Sequence, residues 1–118
     1  MKILYLDKDE DKTSVLREKL SMDGLIIERL ENVSQAIRAL LTSRYDLVIS
    51  DIFLDELDGY DLLKLMKKFD LKHPVVFYTH KDDELEKALA INEGAFTLIK
   101  KGNSTELNEV IEQLTLAV

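Results

Sequence analysis

Five short apolar runs punctuate the chain at intervals of roughly twenty residues, the spacing of alternating strands and helices. They cover residues 3–6 (Ile-Leu-Tyr-Leu), 25–27 (Leu-Ile-Ile), 47–49 (Leu-Val-Ile), 75–78 (Val-Val-Phe-Tyr) and 96–99 (Phe-Thr-Leu-Ile). Four of them are continuous β-branched or aromatic stretches without clean alternation, as expected of parallel strands covered on both faces. The second is shorter and runs into Glu28 and Arg29, which suits an edge.

Between the runs, apolar residues recur at helical spacing. The sets are Val15, Leu16 and Leu20; Ile37, Leu40 and Leu41; Leu62, Leu63 and Met66; Leu85, Ala88 and Leu89; and Leu107, Val110, Ile111 and Leu114. Asn103 with Glu106 predicts a capping box for the last helix. Gly94 predicts the end of the fourth. Pro74 stands just before the fourth strand, where its missing N–H is tolerated. The resulting βαβαβαβαβα order predicts an α/β fold with a doubly wound parallel sheet and helices on both faces. Right-handed crossovers then bring every strand's C-terminal end to one rim. With no repeat or linker, and an end at Val118 directly after the last helix, residues 1–118 read as a single domain without an effector domain.

Composition narrows the function classes. The chain has 118 residues, 46% of them apolar and 33% charged, which suits a soluble globular domain. No run is long enough to span a membrane, and the N-terminus lacks a signal-peptide pattern, so a cytoplasmic protein is expected. There is no cysteine, and two histidines, His73 and His80, do not make a zinc site. A net charge of −7 argues against direct nucleic-acid binding. Lys64, Lys67, Lys68 and Lys72 cluster at helical spacing and read as a solvated face.

The rim is where chemistry gathers. Asp7, Lys8, Asp9 and Glu10 follow strand one, Asp51 follows strand three, Thr79 and His80 end strand four, and Lys100 and Lys101 end strand five. An aspartate can serve as a nucleophile that carries an acyl phosphate. The incoming phosphoryl group needs positive charge and hydrogen-bond donors, which a lysine and a hydroxyl supply. A glycine-rich phosphate loop is absent, which counts against the alternative of a small flavin or nucleotide binder.

The segment from Asp46 to Tyr60, with Asp51 and Asp58-Gly59, resembles the phosphorylation-site segment of bacterial response-regulator receiver domains (CheY-like). So do Lys2 to Asp7 at the first strand, Val75 to Thr79 at the fourth, and Gly94-Ala95 with Ile99-Lys100 at the fifth. The likeness covers essentially the whole chain and implies a flavodoxin-like (βα)5 fold with strand order 2-1-3-4-5. It implies Asp51 as phosphoacceptor, Thr79 as switch hydroxyl and Lys100 as phosphate-contacting lysine. Mg2+ would be held by Asp7, Asp51 and the Phe53 backbone carbonyl, with Asp9 or Glu10 as substitute ligands. The implied donor is a histidine kinase or phosphotransfer protein in a two-component system or phosphorelay. Output passes to another protein or a second copy through the face of helix four, strand five and helix five. The implied protein is a signalling module rather than an enzyme, its own chemistry limited to gaining and losing the phosphoryl group.

The chain also departs from that pattern. Lys8 stands where the family has its second acidic residue, and its ammonium is expected either to remove a metal ligand or to sit in the cation's place beside Asp7 or Asp51. His80 replaces a small residue after the switch hydroxyl. Lys101 replaces the proline after the conserved lysine, so a trans bond is expected there. Thr97 stands where the switch aromatic belongs, three residues before Lys100, with Phe96 one place early, and the stretch from Gly94 to Lys100 looks one residue short. These departures keep open a phosphorylation-independent pseudo-receiver that acts as a protein-interaction module.

Overall fold

The computed structural model describes residues 1–9, 12–81 and 83–116. Its elements run β1 (Lys2–Leu6), α1 (Lys12–Lys19), β2 (Ile26–Leu30), α2 (Val33–Thr42), β3 (Leu47–Ser50), α3 (Gly59–Lys68), β4 (Val75–Thr79), α4 (Glu84–Asn92), β5 (Thr97–Lys100) and α5 (Ser104–Leu116). All five strands are parallel, in the order β2-β1-β3-β4-β5.

Handedness explains the layers. The chain steps from β1 to β2 in one direction, then crosses back over β1 and continues through β3, β4 and β5 in the other. Because crossovers are right-handed, this reversal moves the helices to the opposite face. Alternation along each strand then sorts the core into two halves. Leu4, Leu6, Val48, Val75, Phe77 and Leu98 pack against α2, α3 and Ala90 of α4. Ile3, Tyr5, Ile49, Val76, Tyr78 and Ile99 pack against Leu16 of α1 and Leu107, Val110 and Ile111 of α5. The crevice between β1 and β3, where the winding reverses, is where open α/β sheets place their ligands.

Helix ends follow local chemistry. Asp58 and Asp61 form a reciprocal capping box at the start of α3. At α5 the expected box is only half made. The Asn103 side chain accepts the Glu106 N–H at 3.2 Å, but the Glu106 carboxylate takes the Asn103 side-chain amide instead of its backbone N–H. That N–H donates to the Lys100 carbonyl. Gly94 closes α4 with φ +115°, donating its N–H to the Ile91 carbonyl.

One helix differs from expectation. Leu85, Ala88 and Leu89 of α4, expected to face the core, are exposed, and Ala90 is the residue of α4 that is buried. The periodicity was correctly helical, but it marks the outer face. Leu41 of α2 is likewise exposed, whereas Ile37 and Leu40 are buried.

Gly59 sets how closely the loop after β3 can approach the sheet. A Cβ there would lie 2.9 Å from Phe77 Cε1, 3.1 Å from Ile52 Cα and 3.2 Å from the Asp51 carbonyl oxygen. Two of these neighbours are backbone and the third is a fully buried ring, so none yields freely. Gly59→Ala is expected to cost about 1–3 kcal/mol, the usual range for overpacking, and to shift the backbone amide signals of residues 51–53. Denaturant melts and an amide NMR spectrum check both.

Candidate functional site

Three side chains from three strand ends meet at the rim. The Lys101 ammonium lies 2.9 Å from Asp7 Oδ2 and 2.7 Å from Asp51 Oδ2. Asp7 and Asp51 are buried, and the Lys101 side chain is only 10% exposed.

Backbone hydrogen bonds put them there. Each residue lies one place beyond its strand, yet its N–H still donates to the neighbouring strand: Asp7 to the Leu30 carbonyl, Asp51 to the Leu6 carbonyl and Lys101 to the Thr79 carbonyl. Alternation therefore continues past the strand ends. Asp7 follows Ile3 and Tyr5, Asp51 follows Leu47 and Ile49, and Lys101 follows Ile99, all on the α1/α5 side of the sheet. Lys100 has the opposite parity, that of Leu98.

This corrects the placement of the lysine. Lys100, expected to reach the acidic pocket, is exposed, and Lys101 occupies the pocket. The residue after the pocket lysine is thus Gly102, with φ +98°. The position three before it is Leu98, buried against the α2–α4 side, instead of Thr97. The stretch from Gly94 to the lysine gains its missing residue. Thr97 opens β5 opposite Val76, and Phe96 is partly exposed. No cis peptide occurs among the described residues.

The other expected residues are placed as follows. Lys8 is exposed, so it is Lys101, not Lys8, that takes the place between the two carboxylates. Asp9 is exposed at its side chain, and its N–H donates to Asp7 Oδ1 at 3.0 Å. Glu10 lies outside the described residues. Phe53 donates its N–H to Asp51 Oδ1 at 3.2 Å, which sets its peptide beside the carboxylate. Thr79 is fully buried, and its hydroxyl oxygen accepts the Lys81 N–H at 3.5 Å. His80 is exposed and lines a small cavity with Tyr5, Tyr78 and Lys101, flanked by Val15 and Leu16 of α1.

One participant was not anticipated. The Tyr5 hydroxyl, buried in the sheet, donates to Asp7 Oδ2 at 2.8 Å. Its signal was present in the sequence: Tyr5 stands two residues before Asp7 on one strand, hence on the same face. Burial alone would raise the Asp7 pKa, but the Asp9 N–H, the Lys101 ammonium and the Tyr5 hydroxyl outweigh it and hold the carboxyl below its ordinary range. Burial opposes the charge on Lys101 as well, yet the Asp51 and Asp7 carboxylates raise its pKa above the ordinary lysine value. The Tyr5 hydroxyl is pushed strongly upward by burial and by the adjacent Asp7.

The family model described as the response regulator receiver domain matches residues 3–112. The chain belongs to the response-regulator receiver domain family. The chain spans about two-fifths of the length of the curated relatives it matches. It is 30% identical over 94 residues to the alkaline phosphatase synthesis transcriptional regulatory protein PhoP of Bacillus subtilis, covering 80% of this chain and 39% of that protein. It is 33% identical over 100 residues to the transcriptional regulatory protein CpxR of Klebsiella pneumoniae, covering 85% and 42%. Among solved structures, a two-component response regulator from Clostridium difficile superposes with a TM-score of 0.85 at 27% identity, covering 98% of this chain and 95% of that one. No helix among the described residues is long and apolar enough to cross a membrane.

Receivers generally bind Mg2+ at this acidic pocket. The donor set here suits a cation. Oδ2 of Asp7 and Oδ2 of Asp51 already converge on a single positive centre, the Lys101 ammonium. Mg2+ is commonly held by one or two carboxylates, with water completing its shell. Lys8 contributes no oxygen, and no group of three or more acidic or histidine ligands assembles among the described residues.

Proposed function

We propose that Asp51 is a phosphoacceptor, charged by a histidine kinase or phosphotransfer protein, and that the chain signals through protein contacts. The observation that carries this reading is the convergence of Asp7, Asp51 and Lys101 on one point at the switch of the sheet. An Asp51 carboxylate oxygen attacks the phosphorus of a phosphohistidine. The phosphorus–nitrogen bond breaks, and the imidazole leaves with a proton taken up from solvent. Lys101, already ionised beside the carboxylate, moves its charge onto the phosphoryl oxygens while keeping Asp7 as its second partner. Thr79, next along the rim, supplies a hydroxyl donor while its oxygen accepts the Lys81 N–H. Mg2+ would be held by Asp7, Asp51 and the Phe53 carbonyl, and when bound it offsets the negative charge shared by carboxylate and phosphoryl group. Output is through the face of α4, β5 and α5, where Leu85 and Leu89 are already exposed.

A second reading, constitutive binding without phosphorylation, is favoured by one observation: Lys8, next to Asp7, is exposed and offers the pocket no oxygen. Intact mass after incubation with phosphoramidate separates the two. The expected result is one phosphate adduct that grows faster with Mg2+ and is lost in Asp51→Asn. An unmodified wild-type chain, under conditions where another receiver is charged, would transfer support to the second reading.

A further inference from the structure

Two apolar faces of this chain lie open, and each matches the other. The first is on α4, where Leu85 is 81% exposed and Leu89, one turn on, is 44% exposed, with Ala88 exposed beside them. Acidic residues head this stripe: Asp83, Glu84 and Glu86 stand at or within the first turn. The second is a groove of about 320 Å³ between α2 and α3, walled by Ile37, Leu41, Leu65 and Phe69 with Arg38 on its lip. Leu41 is 52% exposed and Phe69 45%. The Lys68 ammonium lies 6.0 Å from the Phe69 ring centroid. Together α2 and α3 carry four cations, Arg38, Lys64, Lys67 and Lys68, against a single acid. That acid, Asp61, is engaged in the capping box. Arg38 and Lys68 thus flank this apolar groove in a chain whose overall charge is −7, while Lys67 turns away toward Gly94.

We propose that the groove between α2 and α3 receives α4 of a second copy of this chain. Leu85 and Leu89 stand at i and i+4, so they project from one side of the helix and enter an apolar groove as paired anchors. The acidic first turn of α4 then meets Arg38 and Lys68 at the edge of the groove. The contact is heterologous: the patch used on one copy differs from the patch used on the other. A single nine-residue helix buries little surface, so the association is weak and depends on concentration. It does not depend on phosphoryl acceptance by Asp51.

The test uses sedimentation equilibrium on the full chain up to about 1 mM, the weak end of specific affinity. Wild type is expected to rise above the monomer mass of 13.6 kDa as concentration increases. Leu85→Asp removes the inserting helix, and Leu41→Asp removes the groove. Both positions are surface sites, and thermal melts matching the wild type establish that the variants are folded. Each variant alone is expected to remain monomeric. Mixed in equal amounts they are expected to associate one to one, because each keeps the face that the other lacks. The proposal is overturned by a wild type that stays monomeric, by a mixture that stays monomeric, or by a Leu41→Asp chain that associates like wild type. The last result would assign a symmetric contact through α4.

Discussion

Lys101→Ala is expected to destabilise the fold by about 3 kcal/mol, whereas Lys100→Ala changes stability by less than about 0.5 kcal/mol. The two lysines are neighbours in sequence, so composition cannot distinguish the variants. Position does. Lys101 is the counter-ion of two buried carboxylates, and without it Asp7 and Asp51 face each other uncompensated. Breaking a buried ion pair by removing one partner typically costs 3–5 kcal/mol. The pocket lies at the rim, where water can enter, which places the expected loss at the lower end. Lys100 is exposed, and surface substitutions are usually close to neutral. Urea melts of both variants at neutral pH measure the difference. Adding Asp7→Asn to Lys101→Ala removes one of the facing charges and is expected to recover part of the loss. Equal effects of the two lysine variants would contradict the placement of Lys101. In phosphodonor assays the same contrast is expected, with Lys101→Ala strongly impaired and Lys100→Ala close to wild type.

Stability is expected to be level through the neutral range and to fall on both sides, for reasons located in the same cluster. The Asp7 pKa is lowered in the fold from its ordinary 3.8, so its contribution is present above that value and lost as pH falls through the lower folded one. Lys101 and Tyr5 act in the opposite sense. Their folded pKa values are raised above the ordinary 10.5 and 10.0, so what they contribute is present below those values and lost as pH rises past them. Urea midpoints are expected to decline below about pH 4 and above about pH 10, with a plateau between. Asp7→Asn should flatten the acid limb, and Tyr5→Phe should remove part of the alkaline one. An acid limb unchanged by Asp7→Asn would place the responsible carboxylates elsewhere.

The sheet was legible because parallel strands covered on both faces leave continuous apolar runs; four such runs became strands within one residue at either end, while the edge strand β2 runs three residues beyond Ile27 to Leu30. Helical periods were legible too, but a period gives an axis and not its orientation. Leu85, Ala88 and Leu89 show this: their spacing is helical, yet the buried face of α4 is the one that holds Ala90. At the site, Asp7 and Asp51 were readable from their places after strands. The lysine was misplaced by one residue because Lys100 and Lys101 are chemically identical, so only register separates them. The short fifth segment was a symptom of that slip and vanishes when the lysine is counted at 101, whereas the aromatic stays displaced: Leu98 stands three before Lys101 and Phe96 five before it. Parity along β5 would have revealed it, since Ile99 and Lys101 share a face with Tyr78. The contribution of Tyr5 was hidden for a different reason: a tyrosine within an apolar run reads as core, and its hydroxyl partner appears only once β1 is extended to Asp7.

The backbone bond from the Lys101 N–H to the Thr79 carbonyl, 2.8 Å long, has a mechanical consequence. Lys101 holds the charge at the pocket and Thr79 holds the hydroxyl, yet the two are yoked by one peptide contact. That single contact fixes the backbone of one relative to the backbone of the other, so the spacing between the lysine's root and the threonine's root at the rim is set by the β4–β5 pairing and not by either side chain.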